Sequence, residues 1–401
     1  TDTDTDTDTD TDTDTDTDTD SVILFCSPRS IQSENHMANI RELILASMFF
    51  CLCACAGGGS SGGDTDTDNL SKGTPPLSLS FTAPPIELAG IAADYVSNIP
   101  YGKGKLEQFD IFLPNCEGPT PLVIFIHGYG FVAGDKINAY EDPDIIREIL
   151  QSCIAYATVN YSLLPLFPFA ETGIPTLAEH EGVLSSLLSI ARSLQFMRYH
   201  FASFNLDPEN VALSGISAGG GAGLWLGTHD DLADPLSKDP VLQESTRVKA
   251  VAAERVQSTY DVLRWEAIVS SVISRLTTTV NGNDVPSVFE ALGQAEYLLL
   301  LMNIESREDI YTLENEAYRS NVDMLGLLDA GDAPIFVNNY RRDDLTDPFN
   351  LILHHRLHAI ALKERADEVG LESVIYAEDQ EFGYIDPSGE SLVSFLVRHI
   401  Q

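Results

Sequence analysis

Apolar and polar positions change their pattern at about residue 90. Beyond it, short unbroken apolar runs alternate with longer stretches of helical character. The runs are Pro121-Leu122-Val123-Ile124-Phe125-Ile126, Ala155-Tyr156-Ala157-Thr158-Val159-Asn160-Tyr161, Val211-Ala212-Leu213, Val248-Lys249-Ala250-Val251-Ala252-Ala253, Pro334-Ile335-Phe336-Val337-Asn338 and Glu372-Ser373-Val374-Ile375-Tyr376. A run without polar alternation marks a strand buried on both faces, and strands separated by helical segments predict an α/β fold with a mostly parallel sheet covered on both sides. Glu181 to His200 is predicted as a long helix, and Leu392 to Val397 belongs to a closing one. From Thr259 to about Asp329 strand-like alternation is missing. That stretch is predicted as helices whose apolar members, including Tyr260, Trp265, Phe289, Tyr297 and Leu298-Leu299-Leu300-Leu301-Met302, fill helix cores and in part roof a pocket.

Two of the runs end in chemistry. After Val211-Ala212-Leu213 comes Gly215-Ile216-Ser217-Ala218-Gly219, the G-x-S-x-G form of a nucleophile elbow. A sharp strand-to-helix turn crowds the backbone, so the flanking positions must lack side chains and the serine is left exposed above the sheet edge. The run ending at Ile126 is followed by His127-Gly128-Tyr129-Gly130-Phe131. This is similar to an HGGG-type oxyanion loop, in which main-chain N–H groups, here of Gly128, Tyr129 and Gly130 together with that of Ala218, meet the oxygen that becomes negative during acyl transfer. Removing one such donor typically costs about 2.7–4 kcal/mol of transition-state stabilisation. Tyr129 replaces the middle glycine; a side chain is tolerated there if φ stays negative, and the phenol then lines the pocket.

On these two motifs, in this order and each after a strand, residues from about 90 to 401 resemble the α/β-hydrolase superfamily. The nearest branches are the carboxylesterases of the hormone-sensitive-lipase-like and carbohydrate-esterase-like kinds. The resemblance implies an α/β-hydrolase domain over 86–401 with a helical cap at about 259–329, a serine nucleophile at Ser217, and a short-acyl ester, carried on a small molecule or a glycan, as substrate. A serine needs a base within hydrogen-bond reach and a carboxylate to orient that base, in chain order Ser, acid, His. The segment Asn339-Tyr340-Arg341-Arg342-Asp343-Asp344-Leu345-Thr346-Asp347-Pro348 stands where the family places its acid; Asp343 fits best by offset, with Asp344 and Asp347 as rivals.

The base departs from the family pattern. After the last strand stands Ala377-Glu378-Asp379-Gln380-Glu381-Phe382-Gly383-Tyr384, with Phe382 at the position of the usual histidine. His399 lies within the closing helix, and His229 follows the elbow helix on the far side of the sheet. Three histidines lie instead just past the acid segment, at His354, His355 and His358. A helix starting near Asp347-Pro348 would place His354 and His358 four residues apart on one face, and His354 or His355 is the expected base. Without one of them Ser217 would be a weak nucleophile, and the chain would be a hydrolase-fold binding protein without turnover.

The N-terminal segment carries no such pattern. Residues 1–20 are ten Thr-Asp repeats with no apolar side chain to bury, and 1–36 are expected to lie outside the working protein. From Met37, Arg41 and an apolar run of about a dozen residues resemble a secretory signal, closing in Leu52-Cys53-Ala54-Cys55. The tetrapeptide is similar to a bacterial lipoprotein cleavage site. It implies a signal over 37–54, lipidation of Cys55, a flexible Gly/Ser-rich tether over 55–85, and a lipid-anchored place in the bacterial cell envelope, on the periplasmic or outer-membrane face.

Cleavage before Cys55 takes away twelve acidic and two basic residues, and the formal net charge moves from −38 to −28. So acidic a chain argues against nucleic-acid partners. Apart from Cys55, only Cys116 and Cys153 remain in the mature chain, and spacing leaves their pairing open. No Cys/His cluster has zinc spacing and no calcium-loop pattern occurs, so neither metal nor cofactor is expected.

Overall fold

The computed structural model describes residues 74–166, 181–277, 284–339, 347–377 and 384–401. Ten strands form one sheet: β1 (Phe81–Thr82), β2 (Ala93–Pro100), β3 (Gln108–Pro114), β4 (Thr120–Ile126), β5 (Ala155–Val159), β6 (Leu206–Ile216), β7 (Ala250–Glu254), β8 (Ile335–Asn338), β9 (Ser373–Ala377) and β10 (Tyr384–Ile385). Their order is β1-β2-β3-β5-β4-β6-β7-β8-β9-β10. From β5 to β9 every neighbour is parallel, while β1, β2, β3 and β10 join antiparallel at the edges. The expected runs thus become strands, each with bounds shifted by a few residues.

Their unbroken apolar character follows from the pleat. Successive side chains point to opposite faces, and both faces are covered. Leu122, Ile124 and Ile126 of β4, Val211 and Leu213 of β6, Val251 and Ala253 of β7, and Ile335 and Val337 of β8 enter one core. Val123, Ala212, Ala252 and Phe336 from between them enter the other. On the second face lie α1 (Pro143–Gln151) and the closing helix. The first face carries α2 (Val183–Tyr199) and α3 (Ala218–Thr228), the helix that leaves β6.

Between β7 and β8 the described residues are helical or irregular throughout, as the missing strand alternation predicted. This cap includes α4 (Val285–Ala291), α5 (Ala295–Met302) and α6 (Leu313–Asn321). After β8 come α7 (Pro348–His354), α8 (Arg356–Val369) and, after β10, α9 (Leu392–Ile400). The layered, mostly parallel sheet with a helical cap between two core strands is the α/β-hydrolase arrangement. Among the described residues no helix is long and apolar enough to cross a membrane.

One expectation about α7 fails. The helix does not run through to His358, because His355 adopts extended dihedrals (φ −64°, ψ 140°) and its ring caps a new helix, accepting from Leu357 N. His354 and His358 therefore sit on two helices, not on one face of a single helix.

The pairing of Cys116 and Cys153 that spacing left open is settled: they form a disulfide across 37 residues of sequence, tying the end of β3 to the start of β5. Closing a loop of that length restricts the unfolded chain, and replacing both cysteines by serine is expected to lower the unfolding free energy by about 2–4 kcal/mol. Urea unfolding of the two forms, with thiol titration of the unfolded parent, checks this; two free thiols at these positions or an unchanged midpoint would contradict it.

Candidate active site

Parallel pairing of β4 with β6 sets Ile126 opposite Gly215. The chains therefore leave the carboxyl edge side by side, and Gly128 comes to rest against Ser217. A Cβ on Gly128 would lie 2.9 Å from Ile216 O and 3.2 Å from Ser217 Cβ, tighter than a side chain can accept without displacement. Gly219 is equally constrained, since a Cβ there would fall on the carbonyl oxygens of Ile126 and His127. The elbow itself is strained: Ser217 has φ 53° and ψ −122°, a conformation that costs about 1–3 kcal/mol and persists only where its surroundings enforce it. Here Ser217 N donates to Glu254 O at 2.8 Å, fastening the turn to the end of β7.

Ala218 opens α3, so its N–H is one of the first-turn amides without an intrahelical acceptor, at the positive end of the helix dipole. Its carbonyl accepts from Tyr260 of the cap at 2.7 Å. Burial holds the Tyr260 phenol protonated, well above its ordinary pKa.

The loop after β4 is fixed by Tyr161, whose buried hydroxyl lies 2.7 Å from His127 O and 3.1 Å from Gly128 O. A trans peptide directs its N–H opposite its C=O, so the amides of Gly128 and Tyr129 face away from Tyr161. The His127 ring stacks on Tyr161 at 4.3 Å between centroids. Tyr129, Gly130 and Phe131 then turn left-handed at φ 69°, 62° and 62°. This corrects the expectation of negative φ at Tyr129: the loop must reverse immediately after the contact with Ser217, and Tyr129 takes up part of that reversal. Its side chain is 40 % exposed, while Phe131 is buried against Tyr161 and Tyr260. Farther along, Lys136 N donates to Asn160 Oδ1 at 2.6 Å and Thr158 Oγ1 to Lys136 O at 2.6 Å, tying the loop's far end to β5.

Of the three histidines past the acid segment, one meets the serine. His354, the last residue of α7, places Nε2 2.8 Å from Ser217 Oγ. His355 does not, being engaged as the cap of α8. His358 is fully buried, with Nδ1 accepting from Ser258 N at 3.2 Å and Nε2 3.0 Å from Ile352 O. Asp347 caps α7, accepting from Asn350 N at 3.1 Å; seven residues from His354, it sits about 10 Å away along the helix axis and is committed elsewhere. Asp343, Asp344 and Phe382 lie outside the described residues.

The remaining sequence candidates are placed as packing groups. His229 Nε2 pairs with Asn321 Oδ1 at 2.9 Å beside Trp225, and His399 lies against Phe395 on α9. Sequence reasoning gave Tyr161 and Gln257 no place in this neighbourhood, and it did not find the hydrogen-bonding roles of Tyr260, Asn339 and His358. Tyr161 closes an apolar run and Asn339 follows one, but neither position carries a motif.

Residues 109–272 match the BD-FAE family model, a span that holds both the loop after β4 and the elbow. No curated protein matches the chain. Among solved structures, a truncated carbohydrate esterase from gut microbiota is 15 % identical, covering 74 % of this chain and 88 % of its own with a TM-score of 0.49. Esterase B from Lactobacillus rhamnosis is 16 % identical over 70 % of this chain and 74 % of its own, TM-score 0.46. The acetyl ester-xyloside bifunctional hydrolase from Caldicellulosiruptor lactoaceticus is 16 % identical over 72 % and 79 %, TM-score 0.43. Over residues 109–272 the chain is thus similar to an esterase-like hydrolase family.

Burial lowers the pKa of both His127 and His358 to about 4. An unfolded histidine takes up its proton near 6.5, so between these values the unfolded chain binds more protons than the folded one. Unfolding free energy is therefore expected to be full above about pH 6.5 and to fall on acidification towards about pH 4, by up to about 3 kcal/mol for each ring. Denaturant melts across that interval check the sign, and His127→Gln should flatten the slope; a stability that rises as pH drops would contradict the assignment.

Proposed function

We propose that the protein is a serine hydrolase of carboxylic esters, with Ser217 as nucleophile and His354 as general base. The observation that carries this reading is the 2.8 Å approach of His354 Nε2 to Ser217 Oγ, on an elbow whose neighbouring loop presents main-chain amides. Oγ attacks the ester carbonyl carbon as its proton passes to Nε2. The oxyanion is held by amides of the loop Gly128, Tyr129 and Gly130 and by that of Ala218. The imidazolium then gives its proton to the departing alkoxide, leaving an acyl-serine. Water, deprotonated by the same imidazole, releases the acid. Asp343, with Asp344 beside it, is the carboxylate offered for orienting His354, because it follows β8 where the superfamily resemblance implies the acid.

The short acyl group, too, is carried by the resemblance, and the rings around the loop after β4 pack closely on one another. Phe131 packs on Tyr260 at 5.4 Å between centroids, Phe289 on Phe349 at 5.3 Å and Tyr297 on Phe349 at 5.8 Å, while Tyr297 closes over Gly130. The alcohol part, a small molecule or a glycan, is carried by the resemblance. An imidazole beside the serine also supplies what the segment at Phe382 lacks, which favours turnover over a purely binding role.

Ser217→Ala and His354→Ala are each expected to lower kcat/KM for p-nitrophenyl acetate by about 10⁴-fold or more, because nucleophile and base act as a unit. His355→Ala should cost far less. A fluorophosphonate should label the parent and not Ser217→Ala. Near-parental turnover in His354→Ala would sink the base assignment, and in Ser217→Ala the whole reading.

We further propose a lipid-anchored, exported protein. Two features support it: the Leu52-Cys53-Ala54-Cys55 sequence, and a Cys116–Cys153 disulfide of the kind that persists in oxidising compartments. Expressed from Met37 in a bacterial host, Cys55→Ala should move the protein out of the membrane fraction, since acyl chains supply the anchorage. Mass spectrometry of the parent finding an unmodified N-terminus beyond Cys55 would refute the anchor.

A further inference from the structure

His354 ends a seven-residue helix, next to a residue in extended conformation. Such a terminus frays, because the last carbonyls of a helix have no intrahelical donors. Here two of those carbonyls are met by buried side chains. Gln257 Nε2 donates to Leu353 O at 2.9 Å. The ring of His358 takes a single tautomer: Nδ1 accepts the Ser258 amide at 3.2 Å and so bears no proton, which puts the hydrogen on Nε2, where it donates to Ile352 O at 3.0 Å. The segment supplying Gln257 and Ser258 is itself pinned, for Asn339 Oδ1 accepts from Val256 N and Asn339 Nδ2 donates to Val256 O, both at 2.9 Å. Gln257, His358 and Asn339 are all buried.

These contacts join the end of β7 and the end of β8 to the two residues immediately before His354. β7 also holds the elbow through the bond from Ser217 N to Glu254 O. Serine and histidine are thus fastened to one strand end by separate hydrogen bonds. We propose that Gln257 and His358 are positioning residues for His354, clamping the carbonyls of Leu353 and Ile352 so that its imidazole is held at the serine. The inference rests on the reading of Ser217 and His354 as nucleophile and base. It accounts for how a base on the tip of a short helix keeps the register that proton transfer demands, where a displacement of about 1 Å can cost about a hundredfold in rate.

The test uses the full-length protein with p-nitrophenyl acetate. Gln257→Met keeps the length and volume of the side chain and removes the donor; it is expected to lower kcat by about tenfold to a hundredfold with KM unchanged. In a His354→Ala background the same substitution should have no further effect on the residual rate, since there is no imidazole left to position. His358→Gln, which retains a donor near the Nε2 position, should remain close to parental, and His358→Leu should repeat the loss. This pair carries the comparison if Gln257→Met does not fold. Thermal unfolding of each variant separates lost stability from lost rate. Parental kcat in Gln257→Met or His358→Leu, while His354→Ala is inactive, would overturn the clamp and leave the functional reading intact. An equal loss with and without His354 would also overturn it, as the mark of a general structural role. Activity persisting in His354→Ala would instead overturn the reading on which the clamp depends.

Discussion

The parallel register of β4 and β6 is the constraint on which the site depends. With Ile126 paired to Gly215, two residues more along each chain bring Gly128 to Ser217. A Cβ on Gly128 of the loop or on Gly219 of the elbow would then displace backbone. The approach of main chain to main chain is what would let amides, rather than flexible side chains, face the reacting centre. Such donors need no reorganisation during reaction. The strain at Ser217 is tolerable because sheet, helix and cap each hold the turn: β7 through Glu254 O, α3 by continuity, and the cap through Tyr260 on Ala218 O.

The loop after β4 is secured in another manner. Its carbonyls meet the Tyr161 hydroxyl, His127 stacks on the same ring and Phe131 meets it edge-on, and its far end is tied to β5 through Asn160 and Thr158. Lys136 ends this stretch, its ammonium 3.3 Å from the buried Asp110 carboxylate, which also accepts from Tyr95 and Tyr140. A buried charge is stable only when paired and hydrogen-bonded. This network ties the far end of the loop to β3 through Asp110.

The histidine comes from another layer altogether, the helices that follow β8. Two short helices meeting at an extended His355 place one ring at the serine, a second as a cap and a third in the core, so three neighbouring histidines have three separate tasks. Spacing could not separate them. The break at His355 decides it, because a continuous helix would have put His354 and His358 on a common face.

The sequence by itself determined the sheet, because strands buried on both faces must be apolar at every position, and that pattern is local and periodic. It determined the elbow and the loop after β4 as well, since backbone crowding restricts residue type at fixed offsets and leaves a written trace. The helical cap was legible from the loss of strand alternation. Tertiary structure decided what depends on approach between distant segments. That Tyr129 must turn left-handed to follow the contact with Ser217, that Cys116 meets Cys153, and that Tyr161 and Gln257 hold main-chain carbonyls near the site are long-range facts. A polar side chain that satisfies a carbonyl 34 residues away, as Tyr161 does, or 96, as Gln257 does, needs only the right length and a donor. Many residues meet that requirement, so the choice leaves no motif; only the folded chain shows which His, Gln or Tyr stands where the unpaired carbonyl lies.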